Sequence, residues 1–227
     1  EDYIFYGDSF NAPYGVKSTE QVYRLSKKIV QRFLKQNVKA IVIACNTATS
    51  ASASRLRKEY PELPIVGLEP ALKPAVLHKK NSTVLVMATP LTLKEKKFEN
   101  LMNRFEDQAK IIKLPAPDLV EFVERGEIDT PELKKYLRSI LNPYLGNIDA
   151  VVLGCTHFPF AKRAIQQIVG NDVYVVDGGA GAARELRRLL EAKNERRKEK
   201  RIGKIEFLNS NPDPQEIELS KKLFELD

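Results

Sequence analysis

The sequence predicts an α/β fold of two pseudo-symmetric units, each built on a mostly parallel sheet, with the active site in the cleft between them. Two observations carry this expectation. Short, uninterrupted apolar runs rich in Val and Ile alternate with amphipathic stretches, the pattern of parallel strands covered on both faces by helices. In addition, "AIVIACNTAT" at 40–49 returns as "AVVLGCTHFP" at 150–159, and the chain's only two cysteines, Cys45 and Cys155, fall at matching points.

Strands are expected at 3–8, 40–45, 65–70, 83–89, 109–115, 150–155 and 173–178, where β-branched runs stop at polar or Gly/Pro punctuation. Helical periodicity fills the intervals: one helix starts after Ser18, with Glu20 close behind, and runs to about Gln36. Others are expected over roughly 48–59, 92–105, 130–141, 160–169 and 180–200. An offset of 110 residues, the separation of the two cysteines, also superimposes the strands that follow them, which end at Glu69-Pro70 and at Asp177-Gly178. It sets "NAPYG" (11–15) opposite "LVEFVE" (119–124) and "YIFYGD" opposite "AKIIKLP". The repeat divides the chain into 1–70 plus 179–227 and 71–178. The strand and turn "TVLVMATPLT" (83–92) find no counterpart in the first half, so an N-terminal strand is expected to be missing ahead of Glu1. A molecule beginning at Glu1 is expected to expose a sheet edge and to lose activity.

Composition narrows the classes. At 227 residues the chain can hold one large domain or two small ones. No apolar run approaches the roughly 18–20 residues of a membrane span, and two cysteines make no disulfide framework, so a reducing cytoplasm is the expected setting. With only His78 and His157 beside the thiols, no zinc ligand set stands out, and none is expected. The net charge of +7 gathers in "RELRRLLEAKNERRKEKR" (184–201), where Leu186, Leu189 and Leu190 mark a surface helix with a solvated basic face. No nucleic-acid-binding motif accompanies it. "GGAGAAR" (178–184) follows a strand and opens a helix, but Arg184 stands where a dinucleotide fingerprint needs a small residue.

A free cysteine is commonly buried packing. Here each thiol lies at the carboxyl end of a parallel strand, followed by Asn-Thr or Thr-His, where open α/β sheets place reactive groups. Two thiols facing one cleft suit inversion of a stereocentre: one sulfur removes a proton from carbon and the other delivers one to the opposite face. A free thiol is only about 3% ionised at pH 7, so a thiolate requires roughly 2 kcal/mol of help. His157 can assist Cys155. Asn46, Thr47 and Thr156, with helix-start N–H groups, offer an anion cradle, and Thr89 and Thr92 offer the same or serve as caps.

"PYG" (13–15), "CNTAT" (45–49), "TPLT" (89–92), "LVEFVE" (119–124) and "GCTHFP" (154–159) resemble the glutamate racemases of the aspartate/glutamate racemase superfamily, over essentially the whole chain. The resemblance implies two α/β domains around a cleft, no cofactor, a homodimer, and interconversion of L- and D-glutamate that supplies peptidoglycan. It implies that Cys45 deprotonates the D-isomer and Cys155 the L-isomer, with His157 assisting and Glu124, rather than Glu121, as auxiliary acid. Pro13, Tyr14, Gly15, Asn46, Thr47, Thr89, Thr92 and Thr156 match substrate-contacting positions, and Asp8 matches the acidic residue before the PYG loop. The Asp-Ser-Gly motif of the family's N-terminus is absent. An aspartate or hydantoin racemase would share the thiols; a basic nucleic-acid-binding protein with incidental cysteines, or an inactive relative serving as a binding module, stays open as a reading from another class.

Overall fold

The computed structural model describes residues 1–226. The elements run β1 (Tyr3–Gly7), α1 (Thr19–Leu34), β2 (Ile41–Ile43), α2 (Asn46–Ala48), α3 (Ser54–Glu59), β3 (Ile65–Gly67), α4 (Leu72–His78) and β4 (Ser82–Ala88). They continue with α5 (Pro90–Lys94), α6 (Lys96–Asn103), β5 (Ala109–Pro115), α7 (Asp118–Glu124), α8 (Pro131–Leu141), β6 (Ala150–Leu153) and α9 (Lys162–Val169). The chain closes with β7 (Tyr174–Asp177), α10 (Gly179–Ala192), β8 (Ile205–Asn209) and α11 (Pro214–Phe224). Every paired strand is parallel to its neighbour.

The second half forms one four-stranded sheet in the order β5-β4-β6-β7. Alternation along its two central strands divides the core. Leu85, Met87, Val151 and Leu153 face α7, α8 and α9, whereas Val84, Val86, Ala150 and Val152 face α4 and α6. Both faces are dry, so β4 and β6 read as unbroken apolar runs. The first half holds β1 with β8 and β2 with β3. Ile41 and Ile65 pack with Tyr23, Val30 and Leu56, and Val66 packs with Leu186 and Leu190 of α10. α1 is capped by Ser18 in a reciprocal box with Gln21; Glu20 instead pairs with Arg24 and Arg55.

The repeat holds at the level of register. Ile41, Val42 and Ile43 pair with Ile65, Val66 and Gly67; Val151, Val152 and Leu153 pair with Val175, Val176 and Asp177. Adding 110 to each member of the first set gives the second. In the second half β4 lies between β5 and β6. Among the described residues no strand lies between β1 and β2, and Val42 is 40% exposed where its counterpart Val152 is 0% exposed. Tyr3 and Phe5 of β1 are exposed as well.

Several expectations are corrected. The span 92–105 is two helices, α5 and α6, because Glu95 is extended between them. The helix over 48–59 begins at Asn46 and carries a π turn at Thr49–Ala53. The basic helix expected to reach residue 200 stops at Ala192, since no apolar residue continues its stripe and Asn194 turns to positive φ. The cations beyond it fold back: Arg197 and Arg201 pair with Asp2, and Arg196 with Glu191. β8, α4, α7 and α11 were not expected from the sequence; β8 adds to β1 in parallel.

Two glycines test the packing. A Cβ on Gly154 would sit 2.8 Å from the Met87 carbonyl oxygen, in the backbone turn that sets Cys155 beyond β6. A Cβ on Gly181, in the first turns of α10, would meet nothing within 4 Å. Gly154→Ala is therefore expected to lower the unfolding free energy by about 1–3 kcal/mol, because the obstacle is backbone. Gly181→Ala is expected to raise it by about 0.5–1 kcal/mol through helix propensity. Chemical denaturation of the two variants against the parent checks both signs.

Candidate active site

Both cysteines lie two residues past the ends of equivalent strands, β2 and β6. Each strand end meets a polar residue and then a helical turn, so the backbone leaves the sheet with N–H groups pointing outward. Cys45 Sγ accepts a hydrogen bond from the Ala48 amide at 3.5 Å, which makes it the N-cap of α2. Burial pushes the Cys45 thiol up, against the Ala48 hydrogen bond, and the charge of Cys155 pushes the same way.

Cys155 has a different environment. Its Sγ lies 3.7 Å from His157 Nδ1, and His157 Nε2 lies 2.5 Å from Glu124 Oε1. Burial opposes a charge on His157, yet the hydrogen bonds to Cys155 and Glu124 outweigh it and push the imidazole up to about 10. The same contact holds the Glu124 carboxyl below the usual carboxylate range. Glu121 points away, 75% exposed along its side chain and near Arg125. Glu124 therefore sits behind His157, and Glu121 does not.

The PYG loop packs on the first thiol. Tyr14 lies with Val22, Ala48 and Cys45 in one small cluster, and its hydroxyl donates to Asp8, which also accepts from Asn11 at 2.8 Å. Asp8 thus fixes Pro13, Tyr14 and Gly15 from behind; burial and the Asp8 contact push the Tyr14 phenol far up. On the other half, α7 with Glu124 flanks the second thiol. The offset of 110 puts these two segments in matching places although one is a pair of 3₁₀ turns and the other an α-helix.

The strand ends are joined across the halves. Asn46 Nδ2 donates to the Gly154 carbonyl at 2.6 Å, and Thr156 Oγ1 donates to the Ala44 carbonyl. Asn46 is buried, and its Oδ1 has no hydrogen-bond partner among the described residues. Thr89 caps α5 through the Thr92 amide, and the two hydroxyls lie 3.1 Å apart. Thr92 shares a small crevice with Asn46 and Thr47. Ser50 and Glu95 hydrogen bond across that crevice, and Lys97 pairs with Glu69 at 2.7 Å; neither link had a signal in the sequence.

A larger cavity, 720 Å³, lies elsewhere, between β1 and α10, lined by Tyr3, Leu186 and Leu190 with a rim of Arg and Lys. It contains neither thiol, and its arginines are largely paired with Asp2, Glu191 and Glu199. Among the described residues no group of three His, Cys, Asp or Glu side chains could hold a metal ion, and no helix is long and apolar enough to cross a membrane.

Comparison with known proteins identifies the family. The sequence model of the family described as Asp/Glu/Hydantoin racemase matches residues 1–186. A glutamate racemase of Clostridium perfringens is 48% identical over 227 residues, spanning 100% of this chain and 87% of its own. The Escherichia coli glutamate racemase, solved with L-glutamate and the activator UDP-MurNAc-ala, matches at TM-score 0.83 and 30% identity, over 97% of this chain and 85% of that one. Glutamate racemase isoform RacE1 of Bacillus anthracis matches at TM-score 0.85 and 27% identity, over 100% and 85%. On these matches the chain belongs to the Asp/Glu/Hydantoin racemase family, among its glutamate racemases.

Proposed function

We propose that the chain interconverts L- and D-glutamate by a two-base reaction in which Cys45 and Cys155 act on opposite faces of the α-carbon. The observation that carries this reading is the pairing of two thiols at symmetry-equivalent strand ends, which Asn46 and Thr156 bond to one another across the halves. The thiolate of Cys45 takes the α-proton of the D-isomer, the carbon–hydrogen electron pair stays on the α-carbon, and the thiol of Cys155 returns a proton to the opposite face. For the L-isomer the roles exchange. His157, held cationic against Glu124, donates a hydrogen bond or a proton toward the Cys155 sulfur. Cys45 has the Ala48 amide and the start of a helix instead.

Thr47, Thr89, Thr92 and the amides at 46–47 and 156–157 form the anion cradle for the carboxylates. The unpartnered Asn46 Oδ1 is an acceptor suited to the substrate ammonium. Pro13, Tyr14 and Gly15 close the Cys45 side. Residues 1–70 with 179–227 and residues 71–178 serve as the two domains of the cleft. The product supplies peptidoglycan in the cytoplasm, and the working assembly is a homodimer. Glutamate, rather than aspartate or a hydantoin, is favoured by the PYG loop and the TPLT turn.

Racemisation in deuterated water tests the mechanism. Label is expected in the product isomer first, with little in recovered substrate, and Cys45→Ala and Cys155→Ala are each expected to abolish turnover. Faster turnover of aspartate than of glutamate would end the glutamate assignment. The His157–Glu124 pair gives a pH signature in stability. His157 rises from 6.5 to about 10 on folding, so its contribution is full below 6.5 and fades as pH climbs through about 10. Glu124 is lowered, so its contribution is present above the usual carboxylate value and fades in acid. Thermal melts are expected to show the gap between parent and His157→Asn widest near pH 5–6.5, shrinking steadily toward pH 10.5.

A further inference from the structure

The residues that follow the two cysteines make equivalent hydrogen bonds in opposite directions. Asn46, one position past Cys45, donates its side-chain amide to the carbonyl of Gly154, one position before Cys155. Thr156, one position past Cys155, donates its hydroxyl to the carbonyl of Ala44, one position before Cys45. The offset of 110 carries Ala44 onto Gly154 and Asn46 onto Thr156, so the pair obeys the same pseudo-twofold axis as the sheets. Each sulfur is bracketed in sequence by one donor and one acceptor of this ring.

We propose that Asn46 Nδ2 and Thr156 Oγ1 are positioning groups that clamp the two thiol-bearing strand ends together and so set the separation of the sulfurs. The inference deepens the two-thiol reading and rests on it. A reaction that removes a proton on one face and supplies one on the other depends on the gap between the two sulfurs. The sheets end before the thiols do: β2 at Ile43 and β6 at Leu153. Past those ends the Gly154 amide still bonds to the Met87 carbonyl at 2.7 Å within its own half, and these side chains bond one half directly to the other. Asn46 is buried, so this bond is shielded from water. In this arrangement Thr156 Oγ1 gives its single proton to Ala44, leaving the hydroxyl only its lone pairs to offer a ligand. Asn46 divides its amide: Nδ2 to the clamp, Oδ1 free.

The chain's having only two cysteines makes the gap measurable. Dibromobimane fluoresces when one molecule bridges two thiols, so the bridged fraction of the unliganded protein reports whether Cys45 and Cys155 stay within reach. Thr156→Val keeps the shape of the side chain and removes its hydroxyl; Thr156→Ser restores the donor. With Thr156→Val the bridged fraction is expected to fall, and kcat to drop on the order of 10- to 100-fold in both directions, with KM for either isomer within about twofold. Thr156→Ser is expected to recover both readouts. Should Thr156→Val not fold, Asn46→Ser, whose side chain is too short to reach Gly154, is expected to give the same fall in bridged fraction, with kcat lowered and KM raised as well because Asn46 Oδ1 is lost. A rise in KM with kcat unchanged would make these side chains substrate contacts alone and overturn the proposal, as would an unaltered bridged fraction. A parent that bridges efficiently yet turns over no glutamate would sink the two-thiol racemase reading while leaving the bridging comparison a valid test of the clamp.

Discussion

Parallel register between two copies of one strand pair is the constraint on which the rest depends. In a parallel sheet the side-chain period of two and the fixed rise per residue leave no freedom about where a strand end lies once its partner's register is set. Ile41 opposite Ile65 and Val151 opposite Val175 fix β2 and β6 identically, so Cys45 and Cys155 leave their sheets at the same height and in the same direction. A slip of one residue in either pair would turn its cysteine toward the opposite face. The apolar alternation of β6, with Val151 and Leu153 on one side and Ala150 and Val152 on the other, resists such a slip. β2, with Val42 half open to solvent, resists it less. The thiol geometry is therefore anchored most firmly from the second half.

Beyond the strand ends, glycine and threonine take over from the sheet. Gly154 lets the chain pass against the Met87 carbonyl before reaching Cys155. In the first half the tight spot is on the neighbouring strand: a Cβ on Gly67 would lie 2.4 Å from the Thr49 side chain, in the π turn that continues the Cys45 helix. Thr49 Oγ1 donates back to the Ile43 carbonyl at 3.1 Å, tying that helix to the end of β2. π turns recur at functional sites because they re-aim one stretch of a helix without ending it. The two halves thus reach equivalent cysteine positions by different local means.

Most of the strand architecture and both thiols were legible in the sequence because each rests on a local pattern. Val/Ile runs with polar stops identify strands, and a repeated decapeptide identifies equivalent positions. The elements that stayed hidden depend on tertiary context. β8 is five residues with charge at Glu206, and it is a strand because β1 offers it an edge. α4 is short and contains Pro74, and it forms because Leu72, Ala75 and Val76 cover the β4–β6 face. The overlong basic helix came from extending a leucine stripe past its last leucine. At the site, the sequence showed donors at Asn46 and Thr156 but not their direction, since a hydrogen bond across 108 or 112 positions leaves no local periodicity.

A duplicated fold gives matched positions, and charge then makes them unequal. Among the described residues, Cys155 faces a histidine that a carboxylate keeps protonated, whereas Cys45 meets backbone N–H, Thr47 and the tyrosine held by Asp8. Burial pushes the Cys45 thiol up, so under the proposed two-base reaction it must lose its proton before acting as a base. Symmetry in the backbone can therefore coexist with a kinetic preference between the two directions, because backbone geometry governs where the sulfurs stand and local electrostatics governs when each is ionised. The position that would equalise them is the one beside Cys45 equivalent to His157, and the 110-residue offset assigns it to Thr47. A threonine there can hydrogen bond to the sulfur but cannot carry a proton's charge. Among the described residues, the offset thus sets Thr47 beside Cys45 where it sets His157 beside Cys155.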